Sequence, residues 1–197
     1  MKFVIATNNK KKLKELSAIL DKFGIEAVSL SQAGIVSDAE ETGSTFEENS
    51  EIKAIAAMKE SGLPAIADDS GLSVEALSGE PGIYSARYGG DLCKSDEDRY
   101  KYLLENMKDV PFDDRGAKFV SVITCVFPDG RKLSARGEVS GTILKEPQGD
   151  GGFGYDPIFF VESENATMAQ ISAERKNEIS HRSRALKIMS EKLEEVL

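Results

Sequence analysis

Asp68 and Asp69 stand side by side in Ala67-Asp68-Asp69-Ser70-Gly71, directly after the apolar run Leu63-Pro64-Ala65-Ile66 that reads as a buried strand. Two neighbouring carboxylates repel, and partial burial strengthens the repulsion. A divalent cation relieves it. Mg2+ commonly takes one or two protein carboxylates and fills its remaining positions with water and phosphate oxygens. Asp, Ser and Gly are also ordinary turn residues. Taken alone, the segment fits a metal-binding strand end or a simple turn.

Other groups of residues suit a phosphorylated ligand. Thr7-Asn8-Asn9-Lys10-Lys11-Lys12 follows a short apolar stretch and opens a helical pattern. A helix N-terminus offers unpaired N–H groups and a positive dipole end, which favour phosphate. The glycine spacing of a Walker loop is absent. Lysines in a first turn oppose the dipole, so an anion partner would explain them; a solvated basic face is the alternative. Glu40-Glu41 precede a helix on which Asn49 and Lys53 share a face. That pair could reach a site at the sheet edge, although charged loop residues are mostly solvated.

Gly151-Gly152-Phe153-Gly154-Tyr155-Asp156-Pro157 combines glycines, which allow close backbone approach, with aromatics able to stack on a base. A tight turn before a core strand is the plainer reading. In Ser180-His181-Arg182, Ser180 is a natural N-cap that places His181 and Arg182 in a first helical turn. A lone histidine is more often structural than catalytic, but Lys176 and Arg182 lie near it in sequence.

Composition narrows the chemistry. The net charge of −9 over 197 residues argues against a protein that coats nucleic acid. It permits a small anion, because Lys10, Lys11, Lys12 and Lys14 cluster near the start and Arg175, Lys176, Arg182 and Arg184 near the end. With His181 the single histidine and Cys93 and Cys125 the two cysteines, zinc sites of the usual kinds cannot be completed. Any metal is expected to be a hard ion on oxygen ligands. The cysteines lie in no paired motif, which suggests a reducing compartment. No apolar run approaches a membrane span, and the first residues lack signal-peptide anatomy, so a cytoplasmic protein is expected.

The elements that must position these groups follow from periodicity. Strands are expected over 2–6, 26–30, 63–67 and 157–161, with a long hairpin over 118–127 and 132–144. Helices are expected over 10–23, with Leu13, Leu16, Leu20 and Phe23 inward, and over 46–61, with Ile52, Ile55 and Ala56 inward. Thr45 and Glu48 have capping-box spacing ahead of the second. Further helices are expected over 96–109 and 180–195, and residues 71–93 read as mostly irregular. The layout is α/β with a mixed sheet in one domain, 1–197.

Together, TxNxxK at 7–12, EETG at 40–43, TFEEN with Lys53, ADDSG at 67–71, PGIYSARY at 81–88, GGFGYDPIF at 151–159 and SHR at 180–182 resemble the inosine triphosphate pyrophosphatase family. Its bacterial members are dITP/XTP pyrophosphatases. The motifs occur in order, and the resemblance runs from residue 2 to the last helix. The resemblance implies a long bent mixed β-sheet flanked by helices, in two lobes with a central cleft, and a homodimer. It also implies Mg2+-dependent hydrolysis of ITP, dITP and XTP to the monophosphate and pyrophosphate.

By the same resemblance, Asp69 would be the general base and lie at the metal, with Glu40 its partner in preference to Glu41. Thr7, Asn9, Lys12 and Ser70 would hold the phosphates, with Lys53 nearby, and Asn8, Lys10 and Lys11 would belong to the same substrate-binding segment. Phe153, Gly154, Tyr155, Asp156, Lys176, His181 and Arg182 would form the nucleoside pocket. A catalytically silent nucleotide sensor would keep the pocket residues but have no need of Asp69 or a metal carboxylate. A third reading is an enzyme of the same fold acting on pyrimidine nucleotides.

Overall fold

Strand β1 (Lys2–Ile5) runs parallel to both β2 (Glu26–Ser29) and β3 (Ala65–Val74), and it is fully buried after Lys2. Parallel neighbours require crossovers. Helix α1 (Lys10–Lys22) makes the first and α2 (Phe46–Ser61) the second. The sheet is completed by β4 (Gly116–Val126), β5 (Lys132–Ile143), β6 (Phe159–Val161) and β7 (Ala166–Thr167), in the order β2-β1-β3-β4-β5-β6-β7. β5, β6 and β7 pair antiparallel, so the sheet is mixed, as expected from the sequence. This computed structural model describes residues 1–35 and 39–197. Among the described residues, no helix is long and apolar enough to cross a membrane.

The chain divides into two compact units. The first comprises Met1–Asp69, Ser121–Gly137 and Arg184–Leu197; the second comprises Ser70–Val120 and Glu138–Ser183. Each unit gathers separated stretches of chain, because β3, β4 and β5 each contribute residues to both.

In the first unit the strand periodicity of two sorts side chains onto opposite faces. Phe3, Ile5 and Ile66 pack with Leu16, Ile19 and Leu20 of α1, and with Ala185, Met189 and Leu193 of α5 (His181–Glu194). Val4, Ala6, Ala65 and Ala67 pack with Ala54 and Ala57 of α2. The expected stripe of α1 is therefore found, with Leu13 and Phe23 at its margin, and Ile188 lies at the margin of the α5 stripe. The stripe of α2 is displaced. Its buried residues are Phe46, Asn49, Ser50, Ala54 and Ala57, whereas Ile52, Ile55 and Ala56 are half-buried. Two polar residues on the packed face hid its direction. Ser50 is accommodated because its Oγ lies 2.6 Å from Thr124 Oγ1.

The second correction concerns β3. It was expected to end at residue 67 but continues through Asp68, Asp69, Ser70 and Gly71 to Val74. The turn reading of this segment is thereby overturned. β3 pairs with β1 at Ala65 and Ile66 and has β4 as its hydrogen-bonded neighbour on the other side. Polar side chains do not end a strand whose backbone is paired in this way.

The second unit has its own core of Leu72, Val74, Leu103, Met107, Phe119, Ile143, Ile158 and Phe159. Helix α3 (Asp96–Asn106) starts at a full capping box between Ser95 and Asp98. Buried Arg115 donates to the carbonyls of Met107 at the end of α3 (2.7 Å) and of Ile143 (2.8 Å). The segment from 75 to 92 consists of short 3-10 turns, and a short helix α4 (Ala173–Ile179) precedes α5. Pro157 and Ile158 belong to a 3-10 turn, so β6 begins only at Phe159.

Candidate active site

Asp69 follows Ala65 and Ala67 onto the α2 face of β3 and is 6% exposed. Its Oδ1 accepts from Lys53 Nζ at 2.8 Å, and the same ammonium donates to Glu41 Oε1 at 2.8 Å. Lys53 reaches this point from the middle of α2. The loop bearing Glu41 is tied to the helix one turn earlier, where Gly43 N donates to Asn49 Oδ1 at 2.8 Å. A Cβ on Gly43 would lie 2.7 Å from that oxygen, so glycine allows the loop to lie flat on α2.

The electrostatics of this trio are uneven. Burial raises the Asp69 pKa above the ordinary carboxylate value; Lys53 opposes the rise, and Glu41 adds to it. For Lys53, burial acts to lower the pKa, but Asp69 and Glu41 outweigh it and the net shift is upward. The remaining oxygen of Asp69, Oδ2, is buried and accepts no hydrogen bond among the described residues. A buried carboxylate oxygen with no donor is costly, and a cation or a bound water would satisfy it.

Asp68 points the other way, to the α1 face. Its Oδ1 accepts from Lys12 Nζ at 3.1 Å, and its Oδ2 lies 3.4 Å from Ser121 Oγ. The expected repulsion between adjacent carboxylates is thus relieved without a shared cation. Strand alternation separates them, and each has its own lysine. At the start of α1, Asn9 is the N-cap, and its side chain accepts from Lys11 N at 2.9 Å and Lys12 N at 3.2 Å. Two of the N–H groups expected to face phosphate are therefore capped. Thr7 Oγ1 accepts from Asn9 N at 3.1 Å. Asn8, Lys10 and Lys11 are exposed, and Lys12 is half-buried.

In the second unit, Ser70 Oγ accepts from Arg182 Nη2 at 3.2 Å. Ser180 caps α5 as expected, accepting from Ser183 N at 3.1 Å. The His181 ring stacks on Phe119 with centroids 5.0 Å apart. Asp156 Oδ2 accepts from Lys176 Nζ at 2.6 Å and Phe153 N at 2.9 Å. Gly152 has φ +78°, and a Cβ there would lie 2.1 Å from the same oxygen. The glycine-rich loop is therefore folded around an ion pair. Its two aromatics part company. Phe153 is 46% exposed, whereas Tyr155 is buried and donates to Ser85 O at 2.9 Å. Burial raises the Tyr155 pKa.

Ser121, Asp96 and Ser85 escaped the sequence reading. Asp96 Oδ2 accepts from Gly154 N at 2.8 Å, and Ser85 Oγ accepts from Leu72 N at 2.8 Å. Ser85 lies within PGIYSARY, but nothing local assigns it this role; Gly71 makes room for it, since a Cβ there would lie 2.4 Å from Ser85 Oγ.

A model of the Ham1 family matches residues 3–192. The chain belongs to the Ham1 family. Among the relatives of this Ham1-family chain, proteins named dITP/XTP pyrophosphatase from Escherichia coli (strain K12) and Geobacter sulfurreducens are 50% and 47% identical. The alignments cover 98% of this chain in both cases, and 98% and 96% of those proteins. The Ham1 protein of Staphylococcus aureus has a similar structure, with a TM-score of 0.92, 45% identity and 98% of each chain covered. A HAM1 protein from Coxiella burnetii gives a TM-score of 0.93 with 41% identity and 100% of each chain covered.

The donor set of this Ham1-family chain fits a hard cation. Asp69, through Oδ1, and Glu41 meet at Lys53, and Asp69 Oδ2 accepts no hydrogen bond among the described residues. Glu40, expected as the metal partner, is exposed; the loop instead turns Glu41 to the buried lysine. Adjacent residues of an extended loop point in different directions, so only one of such a pair faces inward. Among the described residues, no three acidic, His or Cys side chains gather into an all-protein metal cage. Mg2+ does not need one, since water and phosphate supply its other ligands.

Proposed function

We propose that the chain hydrolyses the non-standard purine triphosphates ITP, dITP and XTP to the monophosphate and pyrophosphate. Relatives 47–50% identical over nearly the whole chain bear the name of that activity. The observation that carries the chemical reading is Asp69. It is buried, its proton affinity is raised, and Oδ2 has no donor among the described residues. A carboxylate with that character suits general-base work on water. Water attacks, the bond between the α- and β-phosphates breaks, Oδ2 takes the proton and pyrophosphate leaves.

Phosphoryl chemistry is mostly positioning and charge neutralisation. In the first unit, Lys12 and Lys53 supply positive charge, with Thr7, Asn8, Asn9, Lys10 and Lys11 near the start of α1. Asp69 and Glu41 would hold Mg2+, which supplies further charge neutralisation when bound. In the second unit, Ser70 and Arg182 form one polar group. Phe153 is the aromatic available to stack on a base, and Gly154, Asp156, Lys176 and His181 are its neighbours in the nucleoside role. Tyr155 belongs with them as a support, because its hydroxyl is engaged at Ser85. A cytoplasmic homodimer acting on free nucleotide completes the reading, and the charge of −9 favours free nucleotide over nucleic acid.

A panel of purine and pyrimidine triphosphates with pyrophosphate detection tests the activity. Release from ITP, dITP and XTP well above that from ATP, GTP, CTP and UTP is expected. Pyrimidine preference would move the protein to another substrate class. Binding without release from any triphosphate would make it a sensor.

Lys12→Ala should raise KM for ITP with little change in kcat. Its charge serves ground and transition states alike, and loss of such uniform binding appears in KM. Unchanged KM with a large fall in kcat would contradict this.

A further inference from the structure

Asp68 has no part in the reaction as proposed, yet it is 1% exposed in the middle of a central strand. A buried carboxylate is tolerated only where partners compensate its desolvation. Lys12 Nζ, at 3.1 Å, is a charged partner, and Ser121 Oγ is marginal at 3.4 Å. The same ammonium also lies 3.4 Å from the Asp68 carbonyl oxygen. Lys12 sits in the first turn of α1, where a cation opposes the helix dipole. A lysine stem has many rotamers and loses entropy when ordered. Left to itself it would extend into water. Here its side chain is only 16% exposed.

We propose that Asp68 is a positioning residue whose task is to hold the Lys12 ammonium ready for the triphosphate. An ammonium has three donors. Two are directed at Asp68, and the third is uncommitted among the described residues. The ligand thus meets a charge already in place. Asp68 and Asp69 then divide the work by face: one positions a phosphate-binding lysine through α1, while the other serves water through the α2 side. The proposal rests on Lys12 being a triphosphate ligand.

A double-mutant cycle in KM for ITP tests it. Asp68→Asn should raise KM by about 5- to 10-fold with kcat little altered, within the coupling range of contacting residues. In a Lys12→Ala background the same substitution should add almost nothing. Equal effects in both backgrounds would overturn the positioning role while leaving Lys12 as a ligand. A lower KM for Asp68→Asn would also overturn it, since it would mean that Asp68 restrains Lys12 from the phosphates. If Lys12→Ala leaves KM unchanged, the reading of Lys12 and the proposal fall together.

Amine labelling of nucleotide-free protein, read by mass spectrometry, gives a measure independent of turnover. Lys12 should react more slowly than exposed Lys10 and Lys11 in the parent protein, and Asp68→Asn should speed Lys12 alone. Equal rates for the three lysines in the parent would overturn the proposal even if the variant failed to fold.

Discussion

Asp69→Asn is expected to lower kcat on ITP by at least about 10²-fold, the lower end for loss of a general base. The substitution keeps the shape of the side chain and leaves an oxygen for Lys53. It removes the negative charge and the capacity to take a proton at Oδ2. Lys53 retains Glu41 at 2.8 Å, so the buried ammonium is not stranded. Asp68→Asn should cost much less in kcat, because Asp68 faces α1. Near-parental turnover in Asp69→Asn with a dead Asp68→Asn would reverse the assignment of the base.

The same variant makes a prediction about stability, with a sign fixed by linkage. Burial raises the Asp69 pKa above its unfolded value. The native state therefore favours the protonated form. The associated stability is fully present below the unfolded pKa and is lost as pH rises through the folded one. At neutral pH the ionised group is a net burden, so Asp69→Asn should raise the Tm of metal-free protein. The gain should shrink in acid, below the ordinary carboxylate range. Scanning calorimetry at two pH values checks this; a lower Tm at neutral pH would show that the Lys53 pair outweighs burial. Relief of repulsion from Asp68, the reason suggested by adjacency in sequence, is not the cause, because the two carboxylates occupy opposite faces.

Removal of divalent metal is expected to abolish turnover. The described lysines near the carboxylates are already engaged, Lys12 with Asp68 and Lys53 with both Glu41 and Asp69. Two ammonium groups that also face buried carboxylates cannot by themselves neutralise a triphosphate, so a divalent cation is needed beside them. Excess EDTA should bring pyrophosphate release to background, and added Mg2+ should restore it. Glu41→Gln should weaken Mg2+ binding, measured directly by titration calorimetry, more than Glu40→Gln does. Full activity in excess EDTA would dismiss the metal, and a stronger effect at Glu40 would return that residue to the site.

Much of this was legible in the chain itself. Strand and helix periods placed β1, α1, the long hairpin and α5 within a few residues, because each buries one plain apolar face or stripe. The order and composition of the motifs pointed to the inosine triphosphate pyrophosphatase family, because seven short segments in order are far more specific than any one of them. The scarcity of His and Cys argued against a zinc site of the usual kinds. Where the sequence failed, a polar group was buried. The inward face of α2 was missed because Asn49 and Ser50 occupy it, and β3 was cut short because Asp68 and Asp69 look like the end of a strand. Burial of such groups depends on partners distant in sequence: Lys12 and Ser121 for Asp68, Lys53 and Glu41 for Asp69, and Ser85 for Tyr155. Local sequence carries the cost of burying a charge but not the identity of what offsets it. Only the tertiary structure could decide that two neighbouring aspartates face opposite ways, that Glu41 rather than Glu40 turns inward, and that one oxygen of Asp69 has no donor among the described residues.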